Sequence, residues 1–262
     1  MLVSFLTWFL VGLLPIVLVV IIQNLIGKLL TPIALSNKGS RGVYLATAAI
    51  GVPIHELSHA IAAFLFRHRI TKIKFFEYTA GHGRLGYVEH QWNVLSPLQN
   101  VGLFFIGIAP LIGAGAVIYL TTKLMLPGLL DTLAWRIVEI PMGITGDPVK
   151  DAFYAVQYGI SGAGIAILSV SSEPQFWLWM LISSVVAFHS TPSKADMQSA
   201  WKGAIAVGVL LTGIVFIFEA YYPLTEMVVG YWLYSVSIMS ATIVFSMPWW
   251  VILLMIAMVS KR

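Results

Sequence analysis

Residues His55, Glu56, Leu57, Ser58 and His59 spell an H-E-x-x-H pattern. Residues four apart on an α-helix lie on nearly one face, so the two imidazoles can grip a single ion while Glu56, one step round, reaches a water bound to it. This donor set suits zinc, which lowers the pKa of water toward about 7, and the carboxylate takes the proton and later delivers it to a leaving group. That is the chemistry of peptide-bond hydrolysis. The chain has only 6 histidines, so chance seldom produces the pattern, and ionisable groups within an apolar helix are costly.

A catalytic zinc site has three protein ligands and an open position. With no cysteine in the chain, the third ligand is a His, Asp or Glu from elsewhere. Asp196 is the first candidate, at the end of the run His189, Ser190, Thr191, Pro192, Ser193, Lys194, Ala195. Pro192 and Ser193 also read as a helix start, which makes Asp196 a first-turn acid facing the helix dipole; the two roles are compatible. His189 is the alternative donor, and if it is not a ligand it reads as an oxyanion donor or as a partner behind the ligands. His68, His82 and His90 sit in basic or hairpin contexts and read as solvated or loop-packing side chains, and Trp249 and Trp250 as lipid-facing or interfacial bulk.

The elements that position these residues follow from composition. Of 262 residues, 59% are apolar or aromatic and 10% are charged, and the mean hydropathy is +0.89, which excludes a water-soluble globular domain. The net charge of +4 is spread in short clusters between apolar runs, the pattern of a polytopic membrane protein and not of a nucleic-acid binder. The N-terminal run is long enough to stay as a span and lacks the features of a cleaved signal.

A bilayer core of about 30 Å requires roughly 20 helical residues. That ruler finds about six transmembrane helices: Ser4 to Ile26, Val43 to Phe66, Leu98 to Thr121, Phe176 to Phe188, Gly203 to Tyr221, and one kinked by Pro248 within Met227 to Val259. The fold class is thus an all-α polytopic membrane protein with a small β-hairpin between the second and third helices. The hairpin is read from two β-rich segments, Thr71 to Tyr78 and Leu85 to Trp92, joined by Gly81, His82 and Gly83. The weakly apolar, Gly- and Ser-rich stretch from Ala152 to Val170 reads as an interfacial or re-entrant helix.

With six spans, Arg67, Arg69, Lys72, Lys74, Arg84, Lys194, Lys202, Lys261 and Arg262 fall on the hairpin side, which places the hairpin and both termini in the cytoplasm. Without repeats or a soluble appendage, residues 1–262 form a single membrane-embedded domain. Its core is about 43–203, with flanking helices 1–30 and 203–262.

The motif and its setting resemble the site-2 protease family of intramembrane zinc metalloproteases. His55, Glu56 and His59 match the zinc-and-base motif, a hairpin follows, and Gly107, Ile108, Ala109 and Pro110 resemble the small-residue motif of the next core helix. The family's later motif runs Asn, Pro three residues on, then Asp followed by Gly. Here His189 stands at the Asn position and Pro192 at the Pro position. Asp196 comes one residue earlier than the pattern, with Met197 in place of Gly.

The resemblance implies a compact enzyme that hydrolyses peptide bonds in or near transmembrane segments of membrane proteins, with Glu56 activating a zinc-bound water. Such a segment must first unwind, because a helical carbonyl is already hydrogen-bonded. Its partners would be the bilayer and a membrane-protein substrate. Two other classes fit the same residues: a proteolytically silent zinc protein that binds membrane helices, and an ion transporter using the buried His/Glu cluster.

Overall fold

The computed structural model describes residues 2–78, 85–130, 147–218 and 222–259. Its elements are α1 (Leu2–Ala34), α2 (Lys38–Leu65), β1 (Arg69–Lys74), β2 (Tyr87–Gln91), α3 (Pro97–Met125), α4 (Pro148–Ser169), α5 (Phe176–Phe188), α6 (Lys194–Phe218) and α7 (Tyr222–Val259). The chain is mostly helical. Four helices among the described residues are long and apolar enough to cross a membrane: α1 over Leu13–Ala34, α2, α3, and α7 over Ser235–Val259. The expected turn at Gly81, His82 and Gly83, with Arg84, lies outside the described residues, as do Lys261 and Arg262.

Local chemistry sets the ends of the core elements. The Asn37 side chain accepts from Ser40 N at 2.9 Å to cap α2, and Ser96 caps α3 with Pro97 in the first turn. Between them the chain leaves α2 through Arg67, whose φ of 59° is the single positive value at a non-glycine residue among those described. That left-handed step turns the backbone at once into β1. The antiparallel ladder therefore starts at Arg69, opposite Gln91, two residues before the β-rich segment suggested, and continues to Lys74 opposite Tyr87.

Helix α3 is the central post, buried along Gly102–Ala109 except at Phe105, as an apolar helix with no polar face should be. Helix α2 runs antiparallel to it: Ser58 meets Gly113, His59 meets Ile106, and Phe66 stacks on Phe105 with ring centroids 5.1 Å apart. Helix α6 is antiparallel to it as well, with Ala200 against Gly107 and Gly203 against Phe104. Helix α5 packs on the opposite end of α3, where Trp179 Nε1 donates to Thr122 Oγ1 at 2.9 Å.

The fourth and fifth apolar stretches of the sequence therefore share the length of α3 between them. Thirteen residues of α5 reach only about 20 Å at helical rise, short of a bilayer core, and the chain breaks at 189–193 before α6 continues. Gln23 Nε2 donates to Thr242 Oγ1 at 2.7 Å and Asn37 Nδ2 to Ile256 O at 3.4 Å, so α1 and α7 run parallel. The last turn of α7 lies beside the α1–α2 connection.

Helix α4 covers the stretch read as interfacial or re-entrant. It packs against α1 and α7, burying Ala155, Ala163 and Ala166, and the Ala155 carbonyl accepts from Ser237 Oγ at 2.9 Å.

Candidate metal and catalytic site

Helix α2 carries a stripe at every fourth residue: Thr47, Gly51, His55 and His59. This single face builds most of the site. His59 Nδ1 donates to the Ile106 carbonyl of α3 at 2.8 Å, and His55 Nδ1 donates to the His189 carbonyl, in the break between α5 and α6, at 2.7 Å. A carbonyl oxygen only accepts, so each Nδ1 carries a hydrogen, and the tautomer that leaves an Nε2 lone pair free for a metal is the one each ring holds when neutral. The two Nε2 atoms lie 3.2 Å apart.

Asp196 closes the group from the first turn of α6. Its Oδ1 is 3.3 Å from His59 Nε2 and its Oδ2 is 3.7 Å from His55 Nε2. The helix-start reading holds beside it: Ser193 N donates to Asp196 Oδ2 at 2.6 Å while Asp196 N donates to Ser193 Oγ at 3.2 Å, a reciprocal cap. That cap fixes the carboxylate while leaving both oxygens near the imidazoles.

His55, His59 and Asp196 thus present acceptor atoms to one small volume, where they could hold a metal ion. A single proton can bridge one pair of these acceptors, whereas a divalent cation meets all three. Zinc with nitrogen ligands at about 2.05 Å has tetrahedral edges of about 3.3 Å, close to the 3.2 Å between the two Nε2 atoms and the 3.3 Å from His59 Nε2 to Asp196 Oδ1. The carbonyls behind both imidazoles supply the orientation typical of metal-bound histidine. The residues present therefore fit zinc.

Glu56, the next residue along α2, is buried at 7% exposure. It lines a cleft of about 570 Å³ with His55, His189, Gly86, Pro192 and Ser193 on one side and Gln23 and Asn24 of α1 on the other. Gly86, just before β2, lies directly on the carboxylate: a Cβ there would be 2.7 Å from Glu56 Cγ and 2.9 Å from Val52 Cγ1. The hairpin is thus a cover over Glu56 as well as an appendage of α2.

His189 does not point its ring at the metal volume. The ring lies over Gly51, where an added Cβ would come within 2.6 Å of Cδ2, and its Nε2 meets Thr47 Oγ1 at 3.0 Å. Its carbonyl serves His55. Gly51, Thr47 and Gly86 did not stand out in the sequence reading, although extending the His55/His59 spacing back by four and eight residues finds the first two. Gly86 has no comparable signal, because only the folded hairpin brings it to Glu56.

Among the described residues the other two histidines, His68 and His90, form a separate pair at the hairpin base. His68 Nδ1 and His90 Nδ1 are 3.0 Å apart, His68 Nε2 donates to the Gln99 carbonyl at 2.9 Å, and Trp92 stacks beside them. Burial and the neighbouring His68 hold His90 at a pKa of about 4, and burial lowers that of His68 as well. They are loop-packing residues. Glu77 and Glu89 make exposed ion pairs with Lys74 and Lys72. Trp249 and Trp250 are not merely lipid-facing: Trp249 Nε1 donates to Ser184 Oγ at 3.0 Å, and Trp250 packs edge-on against Phe188 beside His189.

Comparison of the chain with protein-family models, with curated proteins and with solved structures finds no match.

Proposed function

We propose that this chain is an intramembrane zinc endopeptidase of the site-2 protease kind, cutting peptide bonds in or near membrane-spanning segments. One observation carries the reading: two imidazoles of fixed tautomer and a capped carboxylate converge next to a buried glutamate that opens on a peptide-sized cleft. His55, His59 and Asp196 would hold the ion, and zinc bound there supplies Lewis-acid activation of water.

The chain's own residues do the rest. Glu56 takes the proton from water at its carboxylate and returns it to the leaving amine. The His189 and Ile106 carbonyls keep both ligand rings aimed, and Gly86 limits access to Glu56. The metal group lies about 15 Å along α3 from its first residue, at Ile106 and Gly107. A substrate reaching it has left bulk water and must present an unwound segment, since a helical carbonyl is already hydrogen-bonded.

In the bilayer we place α1, α2, α3, the broken pair α5 and α6, and α7 as passages, with α4 re-entrant and the hairpin end toward the cytoplasm.

The test is metal analysis of the detergent-purified full chain together with digestion of a single-span substrate. About one zinc per chain is expected for wild type and for Glu56→Gln, and little for His55→Ala, His59→Ala or Asp196→Ala. Only wild type should cut. Cleavage by Glu56→Gln would refute the mechanism, and wild type without tightly held metal would refute the site.

A further inference from the structure

His189 is 8% exposed and Thr47 is 5% exposed, yet neither is needed to hold the metal group through its side chain. Thr47 has one hydroxyl hydrogen. Its Oγ1 lies 2.8 Å from the Tyr44 carbonyl, which only accepts, so the hydrogen is donated there. The same oxygen is 3.0 Å from His189 Nε2 and is left to accept, which puts the ring hydrogen of His189 on Nε2.

His189 Nδ1 then carries a lone pair. The atom has no protein partner among the described residues, and it is not among the sealed polar atoms lacking one, which are represented there by Gln23 Oε1 alone. His189 lines the cleft that His55 and Glu56 also line. Gly51 fixes the ring from beneath, and Tyr44 flanks it with centroids 5.3 Å apart.

A lone pair on a ring that lines this cleft is poorly suited to stabilising an oxyanion and well suited to an N–H. An extended peptide, unlike a helix, offers unpaired backbone N–H groups. We propose that His189 Nδ1 is a fixed acceptor for a backbone N–H of the peptide lying in the cleft, and that Thr47 is the positioning residue that holds its tautomer. This deepens the endopeptidase reading and rests on it for the identity of the ligand.

Two measurements on the full chain in detergent test it. The first is the ¹⁵N spectrum of histidine-labelled protein, with the His189 signal assigned by its loss in His189→Leu. A protonated Nε2 and bare Nδ1 are expected in wild type and Thr47→Ser, with mixed tautomers in Thr47→Val. A protonated Nδ1 in wild type overturns the proposal whatever the protein does to peptides.

The second measures binding of a single-span peptide to the Glu56→Gln protein, exchanging backbone amides near the cut site for esters one at a time. One exchange should weaken binding by about threefold to tenfold, and the same exchange should have no effect in His189→Leu. Equal sensitivity in both proteins overturns the acceptor role. Failure of every peptide to bind overturns it together with the peptide reading of the cleft. Binding that follows the expected pattern without cleavage by wild type leaves the acceptor standing and removes only the hydrolase.

Discussion

The position of Asp196 depends on a residue that touches no ligand atom. Gly107 faces the first turn of α6, and a Cβ there would lie 2.6 Å from Ala200 Cβ and 2.8 Å from Ala200 N, and would also collide with the Asp196 carbonyl. Carbon atoms pack at about 3.5 Å or more, so Gly107→Ala must push α6 back by about 1 Å. His59 does not follow, because its ring is tied to Ile106 on α3 itself. One of three ligands is then displaced by several times the roughly 0.2 Å that metal–ligand distances tolerate, and zinc affinity should fall about 10- to 100-fold.

Global unfolding is not expected. Overpacking costs about 1–3 kcal/mol, but replacing a helical glycine by alanine returns about 1 kcal/mol. The assay is competition for zinc with a chelator of known affinity, and the control is Gly115→Ala. Its Cβ meets only Ile238 Cγ2, at 3.0 Å, well away from Asp196. Equal zinc affinity in the two variants would refute the claim that this close approach sets the ligand geometry.

Three further outcomes are expected. Gly86→Val should lift the hairpin from Glu56 and lower hydrolysis on the order of 100-fold with zinc retained; full activity on a single-span substrate would show that the cover does not position the carboxylate. The folded pKa values of His68 and His90 lie below the ordinary 6.5, so the unfolded hairpin binds more protons and the contribution is full above about pH 6.5 and lost as pH falls toward 4. Hydrogen-exchange protection of 69–74 and 87–91, corrected for intrinsic rates, should drop between pH 7 and 5, and constant protection would contradict the buried neutral pair. The chain has no cysteine, so single cysteines at Asn37, Val259 and Lys74 can be labelled from either side of the membrane. Asn37 and Val259 should react together and Lys74 from the other face; Val259 reacting with Lys74 would break the parallel arrangement of α1 and α7.

Features with a local cause were legible in the sequence. The helical spacing of His55 and His59, the Ser193 to Asp196 cap, and the β-rich composition around β1 and β2 each follow from residues within a few positions of one another. The convergence of Asp196 with the histidines was reached from spacing and resemblance together. What escaped depends on contacts between distant segments. An apolar run of suitable length looks like a span whether it crosses alone or shares a passage, so the sequence counts α5 and α6 separately, whereas four helices among the described residues are long and apolar enough to cross. The role of His189 is not legible in the sequence because its backbone and its ring act on different partners, His55 and Thr47, and composition carries no information about which atom faces which.

The acceptor geometry has a consequence that runs against the usual expectation for a lost metal ligand. Without a metal, His55 Nε2, His59 Nε2 and the Asp196 carboxylate bring three acceptors together, and one bridging proton leaves the third without a donor. Asp196→Asn changes this balance. The amide oxygen can keep the bond from Ser193 N, while the amide nitrogen faces the imidazole lone pairs with two hydrogens. The metal-free variant should therefore melt no lower than metal-free wild type, gaining about 1 kcal/mol from the new hydrogen bond. Zinc should raise the melting temperature of wild type, because it binds only the folded site, and leave the variant unmoved. If metal-free Asp196→Asn melts well below wild type, or if zinc stabilises both proteins equally, the three atoms do not form a cluster that requires a cation.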